Sequence, residues 1–152
     1  MQKFLIMRFF LPFFLLVVLV SCNNAEKKPT APANADAAMK DTADYTTLQW
    51  LDSTSKNFGK ISEGQKLEVS YSFKNTGNKP LVISRVQPSC GCTVAEQPSQ
   101  PVLPGATGII KAVFNSEQHV GPNFKTLYVY ANTRGTQAHE LQFKVQVEKK
   151  KW

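Results

Sequence analysis

Leu67, Val69, Tyr71 and Phe73 alternate without a break with Lys66, Glu68, Ser70, Ser72 and Lys74. A period of two places one apolar row inward and one polar row outward, so the segment is expected as a half-buried β-strand. Leu141, Phe143, Val145 and Val147 repeat the pattern. Between them, residues 81–86, 108–115 and 124–131 are short runs rich in β-branched and aromatic residues, and 48–51 offers an opening strand. No segment of the region has helical periodicity.

The runs are separated by turn chemistry: Glu63-Gly64, Asn75-Thr76-Gly77-Asn78-Lys79-Pro80, Pro104-Gly105, Gly121-Pro122 and Arg134-Gly135. Pro104-Gly105 suits the centre of a type II turn, where Pro presets the first φ and Gly accepts the positive second one. About seven strands at this spacing predict an all-β, immunoglobulin-like sandwich over residues 45–152, with a small eight-stranded barrel as the alternative. About 108 residues are enough for one core.

The chain begins differently. Lys3 and Arg8 precede an apolar stretch from Phe9 to Val20, and Leu19-Val20-Ser21-Cys22 closes it. This is the grammar of a signal peptide over residues 1–21. Its end resembles the bacterial lipobox, which implies cleavage before Cys22 and acylation of that residue. A transmembrane helix is disfavoured by Arg8, Pro12 and the lack of a basic stop-transfer cluster. Multiple acyl chains at Cys22 would hold the protein on a membrane firmly, at about 0.8 kcal/mol per buried methylene.

Residues 23–44, rich in Ala, Pro, Asp, Lys and Thr and without an aromatic side chain before Tyr45, read with Cys22 as a flexible linker. Its coil span is about 25 Å. Asn23 and Asn24 follow the Cys without an acidic run, which favours an outer-membrane lipoprotein facing the periplasm.

The net charge of +7 falls to about +5 once the leader is removed. Lysines and arginines are scattered, no nucleic-acid-binding motif accompanies them, and nucleic acid is not an expected partner. Lys149, Lys150 and Lys151 beside Trp152 read as a solvated tail rather than a membrane contact.

Reactive groups converge in one place, Pro88-Ser89-Cys90-Gly91-Cys92-Thr93. Three readings stay open. In an extended chain Cys90 and Cys92 share a face with Cα atoms about 6.6 to 6.8 Å apart, at the far limit of disulfide geometry, and pack as reduced small hydrophobes. If Gly91 adopts a positive φ, the chain folds back and the pair closes a small disulfide, as an oxidising compartment would permit. Thirdly, the two thiolates could serve Cu(I) or zinc, but His119 and His139 lack ligand spacing, and no metal or other cofactor is expected.

Ser89 and Thr93 lack a neighbouring base in sequence, and no catalytic residue is assigned. Tyr128 and Tyr130 alternate with Leu127, Val129 and Ala131, and are either an exposed aromatic contact or the cover of a strand buried on both faces.

Phe58-Gly59-Lys60-Ile61, the stretch from Phe73 to Ile83, Ser89-Cys90-Gly91-Cys92-Thr93, Pro104-Gly105 and Lys125-Thr126 together resemble an uncharacterised family of bacterial exported lipoproteins. That family is similar to the immunoglobulin-like modules of Hydin and ASPM and is related to major sperm protein. Over about residues 46–148 the resemblance implies the fold and an exported setting, and no activity, substrate or cofactor. The function expected is therefore that of a membrane-anchored module binding another envelope protein through an edge strand or end loops. The alternative is periplasmic thiol-redox or metal handling by Cys90 and Cys92.

Overall fold

A computed structural model describes residues 39–151. The signal peptide, Cys22, the linker up to residue 38 and Trp152 lie outside the described residues. Eight strands follow one another: β1 (Leu48–Trp50), β2 (Ser55–Ser62), β3 (Lys66–Asn75), β4 (Ile83–Pro88), β5 (Thr93–Glu96), β6 (Thr107–Asn115), β7 (Gly121–Ala131) and β8 (Ala138–Glu148). They form two four-stranded sheets, β1-β3-β6-β5 and β2-β8-β7-β4. The architecture is a two-sheet sandwich and not a closed barrel.

The alternating strands supply the interior as their pattern requires. Val69, Tyr71 and Phe73 of β3 and Ile110, Ala112 and Phe114 of β6 face Leu127, Val129 and Ala131 of β7 and Leu141, Phe143, Val145 and Val147 of β8, all buried. Phe114 and Phe143 meet across the sheets with ring centroids 6.0 Å apart, and Phe58 meets Phe143 edge-on at 6.2 Å. Each such ring contributes roughly 1.5–3 kcal/mol through burial. Tyr71 is fully buried, yet its hydroxyl donates to the Gln142 carbonyl 2.6 Å away, which joins the two sheets and satisfies the one polar atom its ring brings inside.

Two strands escape the period-two reading. β2 pairs with β8 in parallel, and its register slips between Asn57 and Lys60, where Gly59 has φ +66°. This bulge puts Phe58 and Ile61 inward at a spacing of three, which hides the strand in the sequence. β5 is four residues long and has no periodicity to detect.

β1 and β2 form one path that changes sheet at Leu51–Thr54. There Leu51 N–H donates to the Ser72 carbonyl, and Asp52 accepts from Ser72 N–H at 2.7 Å while pairing with Lys56 at 3.3 Å. These bonds supply for the chain at the crossing what a ladder supplies within a strand.

The Pro104-Gly105 turn has the expected form. Ala106 N–H donates to the Leu103 carbonyl at 3.0 Å, and Gly105 has φ +78°. Gly121-Pro122 is not a break: both residues already pair with Val147 and Gln146 as the start of β7. The reversal lies just upstream, where His119 N–H donates to Ser116 O and Gln118 has φ 59°. Pro122 is exposed at the beginning of its strand, a position that tolerates the missing donor.

Residues 42–44, at the end of the expected linker, make one 3-10 turn capped by Asp41. It is held against the sandwich by Asn132, whose amide donates to the Asp44 carbonyl at 2.8 Å.

Candidate functional site

The Cys90–Cys92 turn joins β4 of one sheet to β5 of the other. Cys90 O accepts from Thr93 N–H at 3.3 Å, which makes Cys90-Gly91-Cys92-Thr93 a β-turn. The extended geometry of the reduced-pair reading is absent: the two Cα atoms are 5.3 Å apart and the sulfurs are joined in a disulfide. The chain folds back without the positive φ expected at Gly91, which does not occupy the left-handed region.

Ser89 anchors one arm of the turn. Its N–H donates to the Thr126 carbonyl and its hydroxyl accepts from Thr126 N–H. On the other arm Asn115 N–H donates to Cys92 O. Thr93 is buried, and its Oγ1 lies 3.6 Å from Cys90 Sγ and 4.0 Å from Cys92 Sγ. A disulfide carries no S–H, so in these weak contacts the hydroxyl must donate. Both sulfurs belong to half-exposed residues, and Gly91 between them is exposed.

With its sulfurs bonded to each other the pair offers no thiolate to a metal. Among the described residues no three His, Cys, Asp or Glu side chains converge as ligands. The two histidines sit apart. His119 stacks against Phe114 with centroids 5.7 Å apart. His139 is half-buried near Trp50, and its Nε2 lies 2.8 Å from the Thr133 hydroxyl. That hydroxyl donates to the Thr136 carbonyl, so Nε2 carries the hydrogen and donates to Thr133. Desolvation pushes the His139 pKa below its ordinary value.

Tyr128 and Tyr130 lie on the outer face of β7, opposite the buried Leu127, Val129 and Ala131, and no further layer covers that face among the described residues. Each ring is partly exposed. The Arg85 guanidinium stands over the Tyr130 ring at 4.3 Å, a cation–π contact across β4 and β7. Phe124 lies on the same row and is 74% exposed, the highest value among the large apolar side chains of the described residues. The even spacing of Phe124 from Tyr128 and Tyr130 is the sequence signal that puts it on their face.

A second exposed feature has no such signal. Val94 of β5 is 66% exposed and Ile109 of β6 is 47% exposed. On the outer face of this sheet a depression of about 520 Å³ runs across β3, β6 and β5, lined by Glu68, Ser70, Val94, Glu96, Lys111 and Val113. A four-residue strand carries too little pattern to announce such a feature in sequence.

The sandwich has known counterparts. A Porphyromonas gingivalis W83 protein of unknown function superposes with a TM-score of 0.61 at 14% identity, over 70% of this chain and 49% of that one. This chain therefore spans about half of that protein. The ASH/PapD-like domain 7 of human CEP192 superposes with a TM-score of 0.53 at 12% identity, covering 70% of this chain and 89% of the domain. These likenesses establish an immunoglobulin-like fold of the ASH/PapD kind. A comparison with curated proteins finds no match. A family model matches residues 49–147, which include the disulfide turn, the aromatic row and every strand but the first residue of β1 and the last of β8, and the chain thus belongs to the family described as "Protein of unknown function (DUF1573)".

Proposed function

We propose that this protein is a lipid-anchored module of the bacterial envelope whose sandwich binds another envelope protein, and that it is not an enzyme. The observation that carries the binding reading is the uncovered outer surface: aromatic side chains in a row on β7, an arginine stacked among them, and an apolar strand edge on the other sheet. Aromatic and arginine side chains are enriched where proteins meet, and here Phe124, Tyr128, Tyr130 and Arg85 share one uncovered face. Anchoring rests on the lipobox-like end of the leader at Cys22, and the setting on the outer membrane facing the periplasm rests on the residues after it.

The test uses the full chain in its own cells, with a photo-crosslinking residue placed in turn at Tyr128, at Tyr130 and at Val94. A defined crosslinked partner from at least one position, lost when that neighbourhood is mutated, supports the binding reading. No crosslink from any of the three overturns it. Cys22→Ala should move the protein from the membrane fraction to the soluble periplasmic fraction; a variant that stays on the membrane would sink the anchor.

The disulfide favours a second reading, thiol-redox handling by Cys90 and Cys92. The readings separate on one variant. Cys90→Ser/Cys92→Ser should keep the crosslink of a binding module and would abolish thiol–disulfide exchange with a dithiol reporter.

A further inference from the structure

The sandwich has four edge strands, β1 and β5 in one sheet and β2 and β4 in the other. Three are blunted by the means that stop edge-to-edge pairing. β1 is three residues long, and the chain leaves it at both ends: Thr46 bridges to Thr133, and Leu51–Thr54 crosses to the other sheet. β2 carries the Gly59 bulge and the charged Lys56 and Lys60. β4 carries Arg85 and ends in Pro88, and the Gln97 amide donates to its Ile83 and Ser84 carbonyls at 3.2 and 3.4 Å.

β5 is short too, at four residues, and carries one charge, Glu96, but has no further device of this kind. Thr93-Val94-Ala95-Glu96 contains no Lys, Pro or bulge and pairs in unbroken register with β6. Because Asn115 N–H bonds Cys92 O, the ladder turns the backbone groups of Val94 and Glu96 toward β6. Those of Thr93 and Ala95 point off the sheet. Thr93 N–H is returned to Cys90 O within the turn, whereas Ala95 N–H and C=O meet no partner among the bonds of the described residues.

The side chains at this edge also state what fits beside them. On the outer face Val94 is exposed, and Glu96 makes no ion pair among the described residues although Lys111 stands opposite it in register. Ala95 is small and only partly buried against the core. An added antiparallel strand would set an apolar residue beside Val94, a basic residue beside Glu96 and an aliphatic one beside Ala95.

Resting on the binding-module reading, we propose that β5 is the docking edge for an extended polypeptide segment that adds as an antiparallel strand and carries a basic residue opposite Glu96. A second copy of this chain fits less well. Four residues of edge are far short of the roughly 1,200 Å² that a stable interface buries, and β5 carries no basic side chain to offer Glu96.

The test is backbone hydrogen exchange of the full chain in detergent, with and without a capped peptide built on Lys-Val-Val-Thr. The peptide should slow exchange in the segment 93–97 by about tenfold. Its Glu-Val-Val-Thr counterpart should not. Ala95→Pro removes the outward N–H without touching the β5–β6 ladder and should abolish the protection. Val94→Lys, at an exposed position, should do the same by charge if the proline variant fails to fold.

Equal protection by both peptides, protection at β1, β2 or β4 instead, or no protection at all overturns the proposal. The binding-module reading falls separately, when crosslinks in cells are absent at Tyr128, Tyr130 and Val94 alike, and a crosslink at Tyr128 or Tyr130 keeps it standing even where the β5 proposal fails.

Discussion

Asn75 is fully buried, and its side chain uses every polar atom. The amide donates to the Lys79 and Val102 carbonyls at 2.7 and 2.8 Å, and the oxygen accepts from Thr46 Oγ1 at 2.8 Å and from Gly77 N–H at 3.1 Å. An Asn-Thr-Gly stretch is legible in sequence as a turn, and a turn is there. Its burial beneath the opening segment of the domain is not legible, because Thr46 and Val102 approach it only in the folded chain. Gly77 shows the consequence. A Cβ there would lie 2.1 Å from Thr46 Oγ1 and 2.7 Å from the Thr47 nitrogen, and a backbone atom cannot step aside as a side-chain tip can. Gly77→Ala should therefore cost about 1–3 kcal/mol and lower Tm by about 5–15 °C. Gly91, whose added Cβ would meet nothing within 4 Å, is the control. Gly91→Ala should stay within about 0.5 kcal/mol of the parent. Equal melting temperatures for the two variants would refute the packing role given to Gly77.

At the scale of elements the disulfide turn is the joint between the sheets. Ser89 ties it to β7 and Cys92 O ties it to β6, so each arm is held by hydrogen bonds as well as by the sulfur bridge. The loop closed by the bridge is only three residues long, and closure of so short a loop restricts the unfolded chain little. Cys90→Ser/Cys92→Ser should cost about 1–2 kcal/mol on the loop-entropy account and leave the fold intact. Alkylation of the denatured parent without reductant, read by intact mass, should add nothing at either residue. Modification of both Cys90 and Cys92 would refute the disulfide. The Cys spacing announced that the two residues could meet, and the φ at Gly91 was expected wrongly because a β-turn with all-negative φ values brings them together equally well. β3, β6, β7 and β8 were legible because their alternation survives from end to end. β2 was not, because its bulge replaces a spacing of two with a spacing of three.

The whole molecule has two ends with different contents. Residue 45 enters where Thr46 bridges Thr133 and Asn75 and Asn132 stitch the loops; the disulfide turn, Ser116 and the close of β8 gather at the opposite end, where Glu63 N–H reaches Glu148 O. Proton linkage acts on this body as a unit. Burial depresses His139 below 6.5, so as pH falls through that value the unfolded chain takes up a proton that the fold refuses, and stability declines. Asp52 is lowered chiefly by the Ser72 N–H and Glu148 by its bond to Lys60, so both contribute stability above the ordinary carboxylate range that is lost on further acidification. On the alkaline side burial raises Tyr71 from 10.0 to about 12, and stability falls as the unfolded tyrosine ionises above 10. Lys60, raised by Glu148, loses its contribution as pH climbs past 10.5. Tm against pH should thus form a plateau from about 7 to about 10, and His139→Gln should flatten its acid shoulder. A maximum near pH 5 would contradict this.

The sequence by itself determined that the domain is built of alternating β-strands, because burial on one face and water on the other impose a period of two that no helix can satisfy, while the two separate sheets of a sandwich rather than a closed barrel were decided by the tertiary structure. It also determined that Cys90 and Cys92 lie close, since one residue separates them. Only the tertiary structure decided which edge stays open and which side chains stand uncovered on it. Those depend on how β2, β4 and β5 fall at the margins of two sheets, and strand order is set by contacts between residues far apart in the chain, which local periodicity does not encode.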